Sequence, residues 1–210
     1  MPANNDDNPF LPPMDSEYPI VITNQLYEDK NKRSDKIKEI ITTILGNPNM
    51  DTLVAVAPFI SEYFVKLLAK TTLKYLILII NREDLNPEYV ENAVKVLNYA
   101  KFDVEVRARP PGSKFIHMKV MVPYMKISRI DKSEGKARSI SKIIPTCAIA
   151  GSVNFTKNGI AVSDEMLVIF RDPYSINACL ETYRKLLEGT VLKHSSKGYV
   201  EMQRQIANKT

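Results

Sequence analysis

Residues Phe115–Val122 read "FIHMKVMV". The apolar and β-branched residues read as a buried strand, yet a histidine and a lysine interrupt it two residues apart. Side chains at i and i+2 of a strand share a face. This reading therefore aims His117 and Lys119 the same way. The residues on either side supply the reason.

Downstream, "YMKISRID" (124–131) and "ARSISKIIP" (137–145) each alternate polar and apolar residues. Between them "KSEGK" (132–136) is a turn signal with Gly135. Together they predict one long antiparallel hairpin that continues the His117 strand outward and returns into the strand ending at Gly151. A short helix over 125–134 is the rival reading. The return strand leads into "GSVNFTKNG" (151–159). A hairpin brings "HMK" and "GSVN" together on one sheet face, near the carboxyl end of the second strand. Gly151 allows a ligand close to the backbone, and Ser152 and Asn154 are again i and i+2. Lys119 and Asn154 are candidate donors, and His117 a candidate nucleophile or proton carrier. Glu165 lies eleven residues beyond Asn154. A carboxylate accepting from one imidazole nitrogen fixes the tautomer and frees the other nitrogen.

Upstream, strands are expected in "YPIVITN" (18–24), "TLVAVAPF" (52–59), "LKYLILIIN" (73–81) and "FDVEVRAR" (102–109). Helices are expected from Ser34 to Pro48, where Ile37, Ile40, Ile41 and Leu45 recur with helical period, and in "SEYFVKLLAK" (61–70) and "NPEYVENAVKVLNYAK" (86–101). Pro110–Pro111–Gly112 reads as a turn. After "TCAIAGSVN" and "EMLVIF", both strand-like, helices follow in "PYSINACLETYRKLLEG" (173–189) and "VEMQRQIAN" (200–208). Strands alternate with helices early and cluster late. That pattern predicts an α/β fold: a mixed β-sheet of about seven strands flanked by helices on both faces.

The chain has 210 residues, 44% hydrophobic and 25% charged, which permits an ordinary core. Its longest apolar run, Tyr75–Ile80, is too short to span a bilayer. The polar N-terminus has no signal-peptide run, and two cysteines, Cys147 and Cys179, make no disulfide framework or cysteine metal site. A cytoplasmic protein with no membrane partner is expected. Residues 1–16, with Pro2, Pro9, Pro12 and Pro13, read as a flexible tail, and 17–210 as one domain with a basic hairpin insertion at 124–145.

The net charge of +5 is unevenly placed. Residues 1–29 hold Asp6, Asp7, Asp15, Glu17, Glu28 and Asp29 and no Lys or Arg. Residues 114–142 hold Lys114, Lys119, Lys126, Arg129, Lys132, Lys136, Arg138 and Lys142 against Asp131 and Glu134, a net +6. Such asymmetry points to an anionic partner, with a solvated loop as the bland alternative. The six cations from Lys126 to Lys142 are the candidate nucleic-acid contacts, on an arm expected to project next to the site.

In order, "HMK" (117–119), "GSVN" (151–154) and "SDE" (163–165) resemble the signature of the phospholipase D superfamily, and "GSVNFTKNGI" is especially similar to its bacterial nuclease-like members. Tyr124 stands where the family has aspartate, and Ser163 where it has asparagine. The segment between the two motifs is also longer. The resemblance implies a metal-independent phosphodiesterase without cofactor, most readily a nuclease on DNA ahead of RNA. It implies a phosphohistidine on His117, phosphate held by Lys119, Ser152 and Asn154, and Glu165 orienting the histidine. The mechanism needs two such histidines. The only other one, His194 in "KHSSKG", reads as a solvated loop, so a homodimer sharing one site on its twofold axis is expected. Two alternatives stay open: a nucleic-acid-binding protein with a degenerate site, and a phospholipid phosphodiesterase.

Overall fold

Tyr75–Ile80 is apolar throughout, and such a run suits a strand covered on both faces. The computed structural model, which describes residues 19–23, 35–82, 91, 94–98, 100–131, 138–161 and 165–195, makes it β3, near the middle of the sheet. Leu76, Leu78 and Ile80 enter one core, while Ile77 and Ile79 enter a second on the opposite face. The same alternation splits Leu53 and Ala55 from Val54 and Val56 in β2 (Met50–Val56).

The other strands are β1 (Ile20–Thr23), β4 (Asp103–Ala108), β5 (Lys119–Asp131), β6 (Arg138–Pro145), β7 (Ala148–Gly151), β8 (Met166–Phe170) and β9 (Val191–Ser195). Their order is β1-β8-β7-β5-β2-β3-β4-β9, with β6 also on β5. Strands β2, β3 and β4 are mutually parallel, and the remaining pairs are antiparallel.

Helices α1 (Asp35–Leu45), α2 (Glu62–Leu68) and α3 (Lys157–Ala161) cover the first core, and α4 (Pro173–Glu188) covers the second. In α1 the buried Ile37, Ile40, Ile41, Ile44 and Leu45 form one apolar stripe. Asp172 caps α4 by accepting from the Ser175 N–H at 2.7 Å, with Pro173 in the first turn. No helix among the described residues is long and apolar enough to cross a membrane. Both cysteines are free thiols. Burial pushes Cys147 up to about 11, which suits an inert core group.

The mixed sheet with helices on both faces matches the expectation, with nine strands among the described residues rather than about seven. One added strand is β6, the return half of the arm. The other is β9, which pairs with β4 and holds His194, placed in a loop by the sequence reading. Val191 and Leu192 are exposed on this edge strand, so its pattern carries no buried face to read.

The hairpin is present. Pairs run from Tyr124↔Pro145 to Asp131↔Arg138, which excludes the helix over 125–134. Between Met121↔Ile149 and Tyr124↔Pro145, β5 advances three residues and the return strand four. The extra residue is a β-bulge in which Thr146 and Cys147 oppose Pro123, and the Thr146 N–H bonds the Pro123 carbonyl at 3.1 Å. Proline donates nothing to a ladder, so a bulge is where a strand tolerates it. Beyond the Lys126 N–H to Asn49 carbonyl bond, β5 and β6 pair, among the described residues, only with each other. The 1–16 tail, the arm tip at 132–137 and the 200–208 helix lie outside the described residues.

Candidate active site at the carboxyl end of the parallel strands

The carboxyl ends of β2, β3 and β4 and of β7 share one end of the sheet with the amino ends of β5 and β8. Open α/β sheets bind ligands at the carboxyl end of their parallel strands. "HMK" and "GSVN" meet here, because Lys119 pairs with Gly151.

Lys119 opens β5 and is buried, 6% exposed. Its side chain borders a small apolar hollow lined by Met121, Ile149, Val153, Phe155 and Leu167. Burial holds the ammonium's pKa below lysine's ordinary value, and the Glu165 carboxylate partly restores it.

His117 departs from the expected strand. β5 begins only at Lys119, and residues 115–118 form a loop with His117 exposed. The cause is Asn81, a buried side chain just past β3 that the sequence reading missed. Its Nδ2 donates to the Ile116 carbonyl at 3.3 Å, and its Oδ1 accepts from the Ile116 N–H at 3.2 Å. Arg82 donates to the Ser113 carbonyl at 2.6 Å. Gly112 turns the chain at φ 76°, in the left-handed region that glycine enters freely. Ile116 thereby plugs the second core while His117 stands out beside the exposed Phe115, ring centroids 6.0 Å apart. The only signal in sequence was an amide ending the apolar run "YLILIIN".

Ser152 and Asn154 also lie beyond the end of their strand. The Ser152 hydroxyl donates to Glu165 and accepts from the Met166 N–H at 3.0 Å. Among the described residues Glu165 thus receives Ser152, and no bond joins it to His117. Asn154 Oδ1 is buried without a hydrogen-bond partner among the described residues, while its amide nitrogen is not. Unsatisfied buried groups are uncommon and often mark function. The segment is held by Phe155, which stacks on Phe64 at 4.6 Å and accepts from the Ser61 N–H at 2.9 Å.

Two glycines are dictated by packing. A Cβ on Gly151 would lie 2.0 Å from the Met166 carbonyl oxygen, so the close neighbour is β8 rather than a ligand. A Cβ on Gly159 would lie 2.4 Å from the Asn154 carbonyl oxygen. Asn158–Gly159 is therefore part of α3, closed down on Asn154.

Tyr124, at the motif's aspartate position, packs against the second core, on the face opposite Met121. Burial raises its pKa, opposed by Arg184 of α4. His194 on β9 is four strands from β5, roughly 19 Å at about 4.8 Å per strand. Among the described residues no three His, Cys, Asp or Glu side chains are placed to hold a metal ion.

The arm is not next to the site. β5 starts at the site and runs away from it. Lys126 is seven residues from Lys119, roughly 23 Å, and Asp131 twelve, roughly 40 Å at about 3.3 Å per residue. Lys126 and Lys142 are exposed on the ribbon, and Arg129 and Arg138 occupy paired strand positions. Lys132 and Lys136 lie outside the described residues.

No protein-family model and no curated protein matches the chain. Among solved structures it is similar to Nuc of Salmonella typhimurium, a phospholipase D family member, at 15% identity and TM-score 0.54, over 85% of this chain and 100% of that one. NucT from Helicobacter pylori matches at 14% and 0.52, over 84% and 99%. Phosphatidylserine synthase of Haemophilus influenzae matches at 12% and 0.51, over 83% of this chain and 39% of its own. These likenesses show that the chain has the fold of the phospholipase D superfamily.

Proposed function

We propose that the chain is a phosphodiesterase that hydrolyses nucleic acid, DNA ahead of RNA, at a site shared by two copies. The observation that carries this is a buried, carboxylate-flanked lysine, Lys119, beside an exposed histidine on a pinned loop. A buried ammonium is costly unless it meets an anion, and a phosphate supplies one.

In the proposed reaction an uncharged His117 imidazole attacks phosphorus. The bond to the leaving oxygen breaks, and that oxygen takes a proton from the His117 of a second copy. Water then attacks the phosphohistidine, giving its proton back to the second histidine as the phosphorus–nitrogen bond breaks. Lys119 and the Asn154 amide neutralise the equatorial oxygens, where charge shifts in the transition state. Ser152 acts on phosphate only by releasing Glu165, or else it serves to hold that carboxylate near Lys119. The two-copy site rests on His194 lying far across the sheet from His117.

One observation favours a second reading, a binding protein with a degenerate site: Glu165 is engaged by Ser152, and among the described residues no carboxylate bonds His117. Incubation of labelled DNA, RNA and phospholipid vesicles in EDTA separates the readings. Cleavage of DNA by the wild type and none by folded His117→Ala is expected. Equal turnover by the two proteins, or none by the wild type, overturns the proposal.

A further inference from the structure

We infer that the β5–β6 ribbon is a duplex-DNA-binding arm, remote from the hydrolytic end of the sheet. This deepens the nucleic-acid reading of the site, yet it stands on a different part of the molecule.

Among the described residues the ribbon has no strand neighbour beyond Lys126, and exposed Lys126, Ser128 and Ser141 on one face and Ile127 and Lys142 on the other leave both faces open. Residues 124–145 carry six cations against two acids. Register puts Lys126 on one face of the ribbon, with Ser128, Ser139 and Ser141, and Arg129, Arg138 and Lys142 on the other. Three cations on one face, and a lysine with three hydroxyls on the other, suit a ligand that walls the ribbon in on two sides. The exposed hydroxyls of Ser128 and Ser141, 2.8 Å apart across the strands, and of Ser139 add neutral donors between the charges. Such hydroxyls with Lys and Arg are the usual phosphate-contacting set.

The major groove of B-form DNA fits this description. It is about 12 Å wide with a phosphate wall on each side, and it admits a two-stranded ribbon whose strands lie about 4.8 Å apart. The A-form major groove is deep and too narrow for side chains to read. The ribbon therefore selects duplex DNA over duplex RNA. Its cations begin roughly 23 Å from Lys119 along β5, so affinity and turnover belong to different ends of the protein.

The test uses the 210-residue chain with His117→Ala, which removes turnover, and anisotropy with labelled DNA and RNA duplexes of about 30 base pairs from about 50 to 200 mM salt. A second protein adds Lys126→Ala, Arg129→Ala, Arg138→Ala and Lys142→Ala. The parent is expected to bind DNA more tightly than RNA. The added substitutions should weaken DNA binding at least tenfold, equally for two unrelated sequences. The log–log salt slope should fall by up to about 3.6, at roughly 0.9 per lost phosphate contact. If the fourfold variant does not fold, Lys126→Ala with Lys142→Ala decides, with a slope change of up to about 1.8. Unchanged affinity and slope in a folded variant overturn the inference. So does a shift in sedimentation from dimer to monomer, which would make the ribbon an assembly surface. Arm-dependent DNA binding with no hydrolysis by the wild type supports the arm and sinks the hydrolytic reading. Hydrolysis with no arm effect does the reverse.

Discussion

Lys119 shows how a single side chain fixes a pH dependence. Burial lowers its pKa from the ordinary 10.5, and the Glu165 carboxylate acts the other way. Phosphate binding needs the ammonium, so kcat/KM should fall on the alkaline side below pH 10.5. Glu165→Gln removes the charge that raises the lysine, and the alkaline limb should then move to lower pH. A limb that stays put or moves up would show that Glu165 does not act on Lys119. Stability has its own sign. Between the folded value and 10.5 the unfolded chain holds more protons, so this residue's contribution to stability rises with pH across that window, and the burial penalty is complete below it. Asn81 acts one step further out. Asn81→Ala strands the buried N–H and carbonyl of Ile116, costing about 1–3 kcal/mol, and loosens the loop under His117. Kinetics of the folded variant should show kcat falling with KM held, because Lys119 and Asn154 sit on other elements. Loss confined to KM would refute a positioning role. Tyr124 should matter little: Tyr124→Phe is expected to keep kcat/KM within about twofold, since position 124 faces the second core, whose apolar environment tolerates loss of a hydroxyl.

At the scale of elements, local pattern was legible where burial repeats and illegible where a distant contact decides. The apolar run of β3, the stripe of α1 and the alternation through the arm each state their structure in their own residues. The start of β5 does not. "FIHMKVMV" is strand-like throughout, and the amide of Asn81, 35 residues earlier, draws Ile116 aside and leaves His117 on a loop. β9 was missed because an edge strand with exposed Val191 and Leu192 has no core face. The motif glycines were legible as glycines, but their cause was not: Gly151 answers to β8 and Gly159 to the Asn154 carbonyl. Gly151→Ala and Gly159→Ala should each destabilise the fold by about 1–3 kcal/mol or more through overpacking, read as a lower urea midpoint. Gly159→Ala should also reduce turnover of the molecules that remain folded, because it presses on Asn154. Unchanged turnover there would detach Asn154 from the chemistry.

For the whole molecule, position along β5 separates two roles that the sequence set side by side. The motif residues lie at the end where β5 begins, and the arm at the end where it stops, because a strand of thirteen residues is rigid and about 40 Å long. A twofold axis through the site end would bring two His117 side chains together and leave the two arms pointing away from each other. Phe115 and Met166, each 46% exposed, stand at that same end, where an interface would cover them. Sedimentation at micromolar concentration should therefore show a dimer. The sharper test is stoichiometric. If each turnover needs the His117 of both copies, a randomly mixed population of wild-type and His117→Ala subunits is active only in its wild-type pairs. Activity should then follow the square of the wild-type fraction, about one quarter at equal mixing, whereas subunits acting alone would retain about one half. Fully exchanged mixtures made by refolding together, with sedimentation confirming the dimer, distinguish the two curves. A linear dependence would mean that one chain completes the reaction by itself, and the second proton carrier would then have to be sought within it.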